Sequence, residues 1–173
     1  MGRINGETFR SSFTPIRCVK EIKRDITKRE FSKPIIRSII FACFGVSAEI
    51  LFTGLKYNLI LPVINKEEIQ WGLAGTSYVW MFFIYGSIPF IFPLIYNKIK
   101  NINILLRATI YAIICLSIEY ISGFILEILT GSCPWLYTEG LHLNGYIRLD
   151  YFPIWMLFGF ITEKLWLYLI KTI

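Results

Sequence analysis

Residues 34–59 read PIIRSIIFACFGVSAEILFTGLKYNL, and this stretch decides the fold. Its only charged residues are Arg37, Glu49 and Lys56, and most of the rest is apolar or small. About 20 predominantly apolar residues suffice for a helix to cross a hydrocarbon core about 30 Å thick. Three more stretches of this kind follow, at residues 77–99, 104–129 and 151–170. The sequence therefore predicts an all-α membrane protein with four transmembrane helices within residues 34–173.

The composition supports this interpretation and excludes others. Of the 173 residues, 55% are hydrophobic and only 17% are charged, whereas a soluble domain has about 25% charged residues. These proportions exclude a soluble monomer and a disordered chain, and the four scattered cysteines exclude a disulfide scaffold. The net charge of +6 belongs entirely to the first 37 residues, because the rest of the chain sums to zero. A neutral membrane domain thus follows a basic tail.

The basic tail occupies residues 1–33. Thr14 and Pro15 suit the N-cap and the first position of a helix, and Ile16, Val19, Ile22 and Ile26 then share one face. This pattern predicts an amphipathic helix on the membrane surface, and a solvated tail is an equally good interpretation. The expected partners are the lipid bilayer and anionic lipid headgroups, not nucleic acid, because the basic tail adjoins a membrane helix.

The basic residues also predict the orientation. The tail and the link that contains Lys98, Lys100 and Arg107 are rich in basic residues, whereas the other two links mix few bases with acids. The positive-inside rule then places both termini in the cytoplasm. An isoleucine-rich composition suggests an AT-rich genome, so we expect a bacterial cytoplasmic membrane.

Two of the predicted helices resemble each other. Residues 37–49 align without gaps on residues 107–119, and five of the thirteen positions are identical, including the Arg and the Glu at the two ends. The repeat predicts two helical hairpins in the same orientation, with helices 1 and 3 facing each other across a pseudo-twofold axis. Small residues allow close helix packing, and the expected packing glycines are Gly86, Gly123 and Gly159.

The repeat places two acids inside the membrane. Twelve residues of helix rise about 18 Å, so Glu49 and Glu119 should lie at a similar depth, slightly past the middle of the bilayer. Such acids avoid lipid, and either a shared proton, a cation or hydrogen bonds from Ser and Tyr side chains could accommodate them. Glu163 ranks lower, because it can follow Lys164 to the cytoplasmic surface. The candidate proton-binding or substrate-binding residues are Glu49, Glu119, Glu163, Tyr85, Ser117 and Tyr120.

Other chemistry is sparse. The sequence contains no nucleotide-binding loop, no nucleophile elbow and no zinc-protease motif. His142 has no ligand partner at metal spacing, and the four cysteines form no CxxC pair. We therefore expect no cofactor and no metal, and the sequence identifies no catalytic residue.

Several motifs occur in a fixed order from residue 48 nearly to the end. They include Ser77-x-x-Trp80, Glu119-x3-Gly123 and Trp155-x3-Gly159-x3-Glu163, with an outer-loop motif that contains Cys133, Pro134, Trp135 and Tyr137. In this respect the chain resembles the CmpB-like family of small four-helix membrane proteins, labelled putative ABC transporter permease, and is similar to the transmembrane protein 229 family. It departs at Leu136, where family members usually have Asp, and at Thr138. The resemblance implies topology more than activity.

Three functions agree with these observations. The first is a transport-related membrane component with a buried acidic site between helices 1 and 3, built on Glu49 and Glu119. The second is a membrane enzyme that acts on a lipid-like substrate and uses a buried Glu as proton donor. The third is an assembly partner whose acids only join helices. A transport role would need either a homo-oligomer or another membrane partner, because four helices enclose little space.

Overall fold

The computed structural model describes the backbone of residues 15–69 and 71–173 and the side chains of residues 33–69 and 71–173. The helices, in chain order, are α1 (Pro15–Leu55), a π-helical turn (Lys56–Ile60), α2 (Leu61–Asn65), α3 (Val79–Gly86), α4 (Ile88–Ile99), α5 (Ile104–Thr130) and α6 (Phe152–Thr172). Two short antiparallel strands, β1 (His142–Leu143) and β2 (Ile147–Arg148), and a 3-10 turn (Leu149–Tyr151) precede α6.

In this described part of the chain, three helical regions are long and apolar enough to cross a membrane, and the bent pair α3–α4 makes a fourth if it counts as one span. We call them, in chain order, the first span (Lys33–Asn65), the second span (α3–α4), the third span (Ile104–Thr130) and the fourth span (Leu149–Thr172). The apolar helices fit the predicted membrane protein.

The second span is broken, as its prolines predict. The sequence predicts a kink at Pro89 and Pro93; in the structure the two halves meet at Ser87 with a bend of 42°. Pro89 has no amide hydrogen, so the carbonyl of Tyr85 loses its helical partner there. Pro93 lies within α4. The break therefore has a local cause in the sequence.

The tail helix is continuous with the first span. Its described part runs from Pro15 through Pro34 to Leu55. Thr14 and the side chains of the predicted amphipathic face lie outside the described residues. Whether this helix lies on the membrane surface stays a prediction.

The spans pack as neighbouring pairs. The first span packs mainly on the second, and the third on the fourth, whereas the second and third make little contact with each other. The prediction that helices 1 and 3 pack face to face is therefore wrong as a description of the main contacts. The reason is visible at Gly45, because the ring of Tyr85 from α3 occupies the space beside it.

Two buried clusters hold the pairs together. One contains Phe41, Phe92, Tyr111, Trp166 and Leu169, and it joins all four spans. The other contains Met81, Tyr85, Leu126, Cys133 and Trp135, and it joins the helices to the loop that follows α5. We call the end of the bundle that carries residues 131–150 the loop end, and the end that carries residues 100–103 the turn end.

Two non-helical segments fold back against the helices. Residues 71–78 return along α1, where Asn58 Nδ2 donates to the carbonyl of Ala74 at 3.0 Å and Thr53 Oγ1 donates to that of Thr76 at 3.0 Å. At the loop end, Cys133 and Tyr146 pack against Gly123 of α5. These segments bring Ser77 and Tyr137 to the two acids predicted in the membrane.

Candidate functional site

Glu49 is held by the residues that lead into the second span. Its Oε2 atom accepts a hydrogen bond from Ser77 Oγ at 2.9 Å and a long one from the Tyr85 hydroxyl at 3.5 Å. The side chain is half-buried. Ser77 reaches this carboxyl because the preceding residues are hydrogen-bonded to α1. Glu49 therefore belongs to the contact between the first and second spans.

Glu119 is more deeply buried and less completely satisfied. Only 6% of the residue is exposed, and its Oε1 atom accepts a hydrogen bond from the Tyr137 hydroxyl at 2.9 Å. Its Oε2 atom is buried and has no hydrogen-bond partner among the described residues. Trp155 Nε1 lies beside this carboxyl without a well-aligned hydrogen bond. Buried polar atoms without a partner are rare in native structures, so this oxygen requires an explanation.

Tyr137 connects the two acids electrostatically. Burial raises the pKa of the Tyr137 phenol, and the carboxylates of Glu119 and Glu49 raise it further. The phenol therefore keeps its proton near neutral pH and acts as a donor to Glu119. The sequence contains this tyrosine in its outer-loop motif, but only the fold shows that it reaches so far into the helices.

A cavity of about 80 Å³ borders Glu119. We call it the Glu119 cavity; residues of α3, α4, α5 and α6 line it, and Glu49 is not among them. A buried water needs about 10–15 Å³ of such volume, so there is room for more than one small group. The lining includes Glu119, Trp155 and Thr162, and each of these has a buried polar atom without a partner among the described residues.

Glu163 lies elsewhere and is fully paired. Arg107 Nε and Nη2 donate to its two oxygens at 2.6 and 2.8 Å, and the Tyr111 hydroxyl donates at 2.9 Å. The residue is only 2% exposed. The expectation that Glu163 follows Lys164 to the surface is therefore wrong, because a cation on the neighbouring helix pairs with it inside the bundle.

Two other predicted residues do not meet the acids. Ser117 is exposed and donates a hydrogen bond to the carbonyl of Ile113 in its own helix at 2.7 Å. Tyr120 accepts a hydrogen bond from Asn144 Nδ2 at 2.8 Å and packs edge-on against Tyr146. Both side chains point away from Glu119, because neighbouring positions on a helix face different directions.

The predicted glycines and loop motif lie at close contacts. Gly86 packs against Ser38 and Ala42 of α1, and Gly159 packs against Tyr111 of α5. Gly123 meets the loop instead, through Cys133 and Tyr146. Trp135, which follows Pro134, is buried, and its Nε1 atom donates to the carbonyl of Tyr146 at 3.1 Å. The motif therefore anchors the loop that delivers Tyr137.

Sequence reasoning missed four members of these clusters as site residues. Ser77 and Trp155 stand in the quoted motifs, which could have identified them. Arg107 belongs to a link that the sequence predicts to be cytoplasmic, and the sequence does not show its partner 56 positions away. Thr162 belongs to no motif in the sequence that could have identified it as a site residue. In the described part of the chain, no group of three or more His, Cys, Asp or Glu residues could hold a metal ion.

Comparison with known proteins gives the family. No solved structure matches the chain. A family model described as "Putative ABC-transporter type IV" matches residues 39–173, which include all of the second, third and fourth spans and most of the first. This match confirms the CmpB-like resemblance that the motifs predict. The chain belongs to this family.

Proposed function

We propose that the protein is a transport-related membrane component in which Glu119, with Glu49 nearby, binds a proton, a cation or the polar group of a lipid-like substrate. One observation carries the proposal: Glu119 is a buried carboxyl that borders a cavity, and one of its oxygens has no partner in the part of the chain that the structure describes. An ionisable group within a membrane span is costly, and such groups commonly mark ion or substrate pathways.

Glu163 supports the proposal by contrast. Its carboxylate has a cation and a tyrosine as partners, so its hydrogen bonds need no further ligand. A carboxyl that only joins helices is expected to have such a set of partners. We assign Glu163 to stability and keep Glu119 and Glu49 as the candidate site.

A pH jump tests this proposal for all three ligands, because any of them must compete with protons for the free carboxyl. The full chain is reconstituted in liposomes on a solid-supported membrane, and the transient current after the jump is measured. We expect Glu119→Gln to abolish most of the current and Glu49→Gln to reduce it. Glu127→Gln, which changes an acid near the end of the same helix, is the matched control and should behave like the wild type.

The proposal fails if both Glu119→Gln and Glu49→Gln give wild-type currents while remaining folded in the membrane. Folding is checked by gel filtration and by thermal unfolding of each purified variant. A variant that does not fold is replaced by Glu119→Asp, which keeps the carboxyl and should retain a reduced current.

A membrane enzyme is the second candidate, and the partly enclosed Glu119 cavity favours it. An acid at the end of a cavity near lipid is what a proton donor to a lipid-like substrate requires. Incubation of the protein with a membrane lipid extract, followed by mass spectrometry, separates the two candidates. An enzyme would produce a new species that disappears with Glu119→Gln, whereas a transport component would leave the lipids unchanged.

The membrane, the orientation and the partners of the protein are part of the same proposal. We propose a bacterial cytoplasmic membrane because the composition is rich in isoleucine. We propose that both termini lie in the cytoplasm because of the distribution of basic residues. The basic tail would bind anionic headgroups. A complete transport path would require either a second copy of the chain or another membrane protein.

A further inference from the structure

We propose that the Glu119 cavity binds an amphiphile with an ammonium head and a single hydrocarbon chain. The head would lie at Glu119, and the chain would lie along the isoleucine residues of α4 and α5. This inference rests on the proposed function, because it names the class of ligand that the Glu119 carboxyl would take.

The head site combines one carboxyl with aromatic rings. Glu119 Oε2 has no partner among the described residues, and no Lys or Arg is among the residues that line the cavity. Tyr85, Trp155 and Phe158 also line it, with the Phe158 ring 5.6 Å from Tyr85 and 5.7 Å from Trp155. Aromatic faces attract cations, most strongly where water is excluded. An ammonium group therefore complements both the charge and the rings.

The walls of the cavity fit a chain. Ile88, Ile91 and Ile95 recur on one face of α4, and Ile114 and Ile118 recur on one face of α5. These spacings place the side chains above one another along each helix axis, so the apolar surface is elongated. A volume of about 80 Å³ accommodates part of one chain and is too small for the paired chains of a diacyl lipid.

The position of the cavity allows entry from the lipid. The backbones of the second and third spans approach each other at few points, although the rings of Phe92 and Tyr111 stack between them at 5.3 Å, and Ile91 of the α4 wall is 40% exposed. Both buried clusters contribute residues to the lining of the cavity. Phe92 and Tyr111 lie towards the turn end, and Met81 and Tyr85 lie towards the loop end. A ligand dissolved in the bilayer could therefore enter between the spans without crossing a charged surface.

Binding of radiolabelled dodecylamine to the full chain in phosphatidylcholine nanodiscs tests the inference. Dodecanol and dodecanoate, which share the chain length, are the competitors. We expect saturable binding of the amine. Dodecanol should compete with an affinity at least about tenfold lower than that of dodecylamine, and dodecanoate should not compete. Glu119→Gln should weaken amine binding by about tenfold or more, because it removes the charge that pairs with the head.

Two further variants separate the cavity from the surrounding bilayer. Ile118→Trp fills the cavity and should abolish saturable binding, whereas Ile121→Trp places the same side chain at a 56% exposed position of α5 and should bind like the wild type. Both must give wild-type gel filtration profiles. Dodecylamine added to empty nanodiscs measures the partitioning that is independent of the protein.

Three outcomes would overturn the inference: no saturable binding, equal binding of dodecanol and dodecylamine, or wild-type binding by Ile118→Trp. Equal binding of the alcohol would show a neutral hydrogen-bonding site instead. If the amine does not bind but Glu119→Gln still abolishes the pH-jump current, the ligand class is wrong and the proposed function stands. If the amine binds while both Glu119→Gln and Glu49→Gln give wild-type currents, the proposed function fails on its own evidence.

Discussion

Four glutamates of the described spans each have a tyrosine partner, and of these four only Glu163 also pairs with a cation. The tyrosine pairs are Glu49 with Tyr85, Glu119 with Tyr137, Glu127 with Tyr146 and Glu163 with Tyr111. A phenol donates a hydrogen bond without adding charge, so it can satisfy one oxygen of a carboxyl and leave the other free. At the scale of single residues, the difference between Glu119 and Glu163 is therefore the presence of Arg107.

The ion pair between Arg107 and Glu163 predicts a large effect on stability. Arg107→Met should lower the free energy of unfolding by about 3–5 kcal/mol, because it leaves a buried carboxylate without its cation. Arg107 also donates to the carbonyls of Lys100 and Ile102 at the turn end, which adds to the loss. Unfolding of the purified protein in mixed micelles, followed by circular dichroism, measures the change.

Asp150→Asn is the matched control for this measurement. It also removes one partner of an Arg–carboxylate pair, with Arg148, but Asp150 is a third exposed and the effect should stay within about 1 kcal/mol. A double variant, Arg107→Met with Glu163→Leu, should recover much of the lost stability. An Arg107→Met variant as stable as the Asp150→Asn variant would show that the buried pair contributes little.

The sequence predicted which acids lie within the apolar helices but not how each is satisfied. The repeat identified Glu49 and Glu119, since the spacing from an Arg to a Glu is independent of overall hydrophobicity. The partners of these acids come from residues far along the chain, such as Ser77 and Tyr137, and from segments that the sequence shows only as links. Long-range pairing of this kind depends on the packing of the helices, which one sequence does not reveal.

At the scale of elements, the sequence did not predict that residues 71–78, which we call the return segment, fold back along the first span. The first span continues to Asn65, which is longer than a membrane crossing requires, so the chain must run back along α1 before α3 begins. Side chains of the first span, Thr53 and Asn58, donate hydrogen bonds to backbone carbonyls of the return segment. A carbonyl at membrane depth needs such a partner, because lipid provides none.

Gly75 is the tightest point of this segment and gives a second stability prediction. A Cβ atom there would collide with the carbonyl oxygen of Ile50, which is backbone and cannot rotate away. Gly75→Ala should therefore push the segment off α1, move Ser77 from Glu49 and destabilise the protein by about 1–3 kcal/mol. Thermal unfolding followed by gel filtration measures this loss.

Gly72→Ala is the control in the same segment. A Cβ atom at Gly72 would meet nothing within 4 Å, so this variant should unfold like the wild type. If Gly75→Ala and Gly72→Ala unfold at the same temperature, the close contact between the return segment and α1 does not exist in solution.

The internal repeat did not predict which helices pack together, because each span packs mainly on the span next to it in the sequence. Matching sequences in helices 1 and 3 suggested that these helices meet, with their small residues in contact. In the structure, Gly45 and Gly159 are instead contacted by tyrosine rings from the sequence-adjacent span, Tyr85 and Tyr111. Large aromatic side chains fill the space that small residues leave, and they bind each helix to its neighbour. The repeat itself stays a prediction.

At the scale of the whole molecule, composition and apolar length predicted a helical membrane protein. The prediction of residues 104–129 differs by one residue from the third span, Ile104–Thr130. The end of that helix is marked by Gly131, whose φ of 83° suits glycine and whose N–H donates to the carbonyl of Glu127. The Glu119 cavity was not predictable, because it arises where two packed pairs of helices meet loosely.

We propose that Glu119, whose Oε2 atom has no partner among the described residues, is within reach of lipid, whereas Glu163 is paired and only 2% exposed. Labelling with dicyclohexylcarbodiimide tests it most directly, because this apolar reagent modifies protonated carboxyls that it can reach from the bilayer. The full chain in nanodiscs is treated at mildly acidic pH, and the modified residue is identified by mass spectrometry. We predict modification of Glu119, loss of that label in Glu119→Gln, and no label on Glu163. Modification of Glu163 with Glu119 untouched would contradict the account.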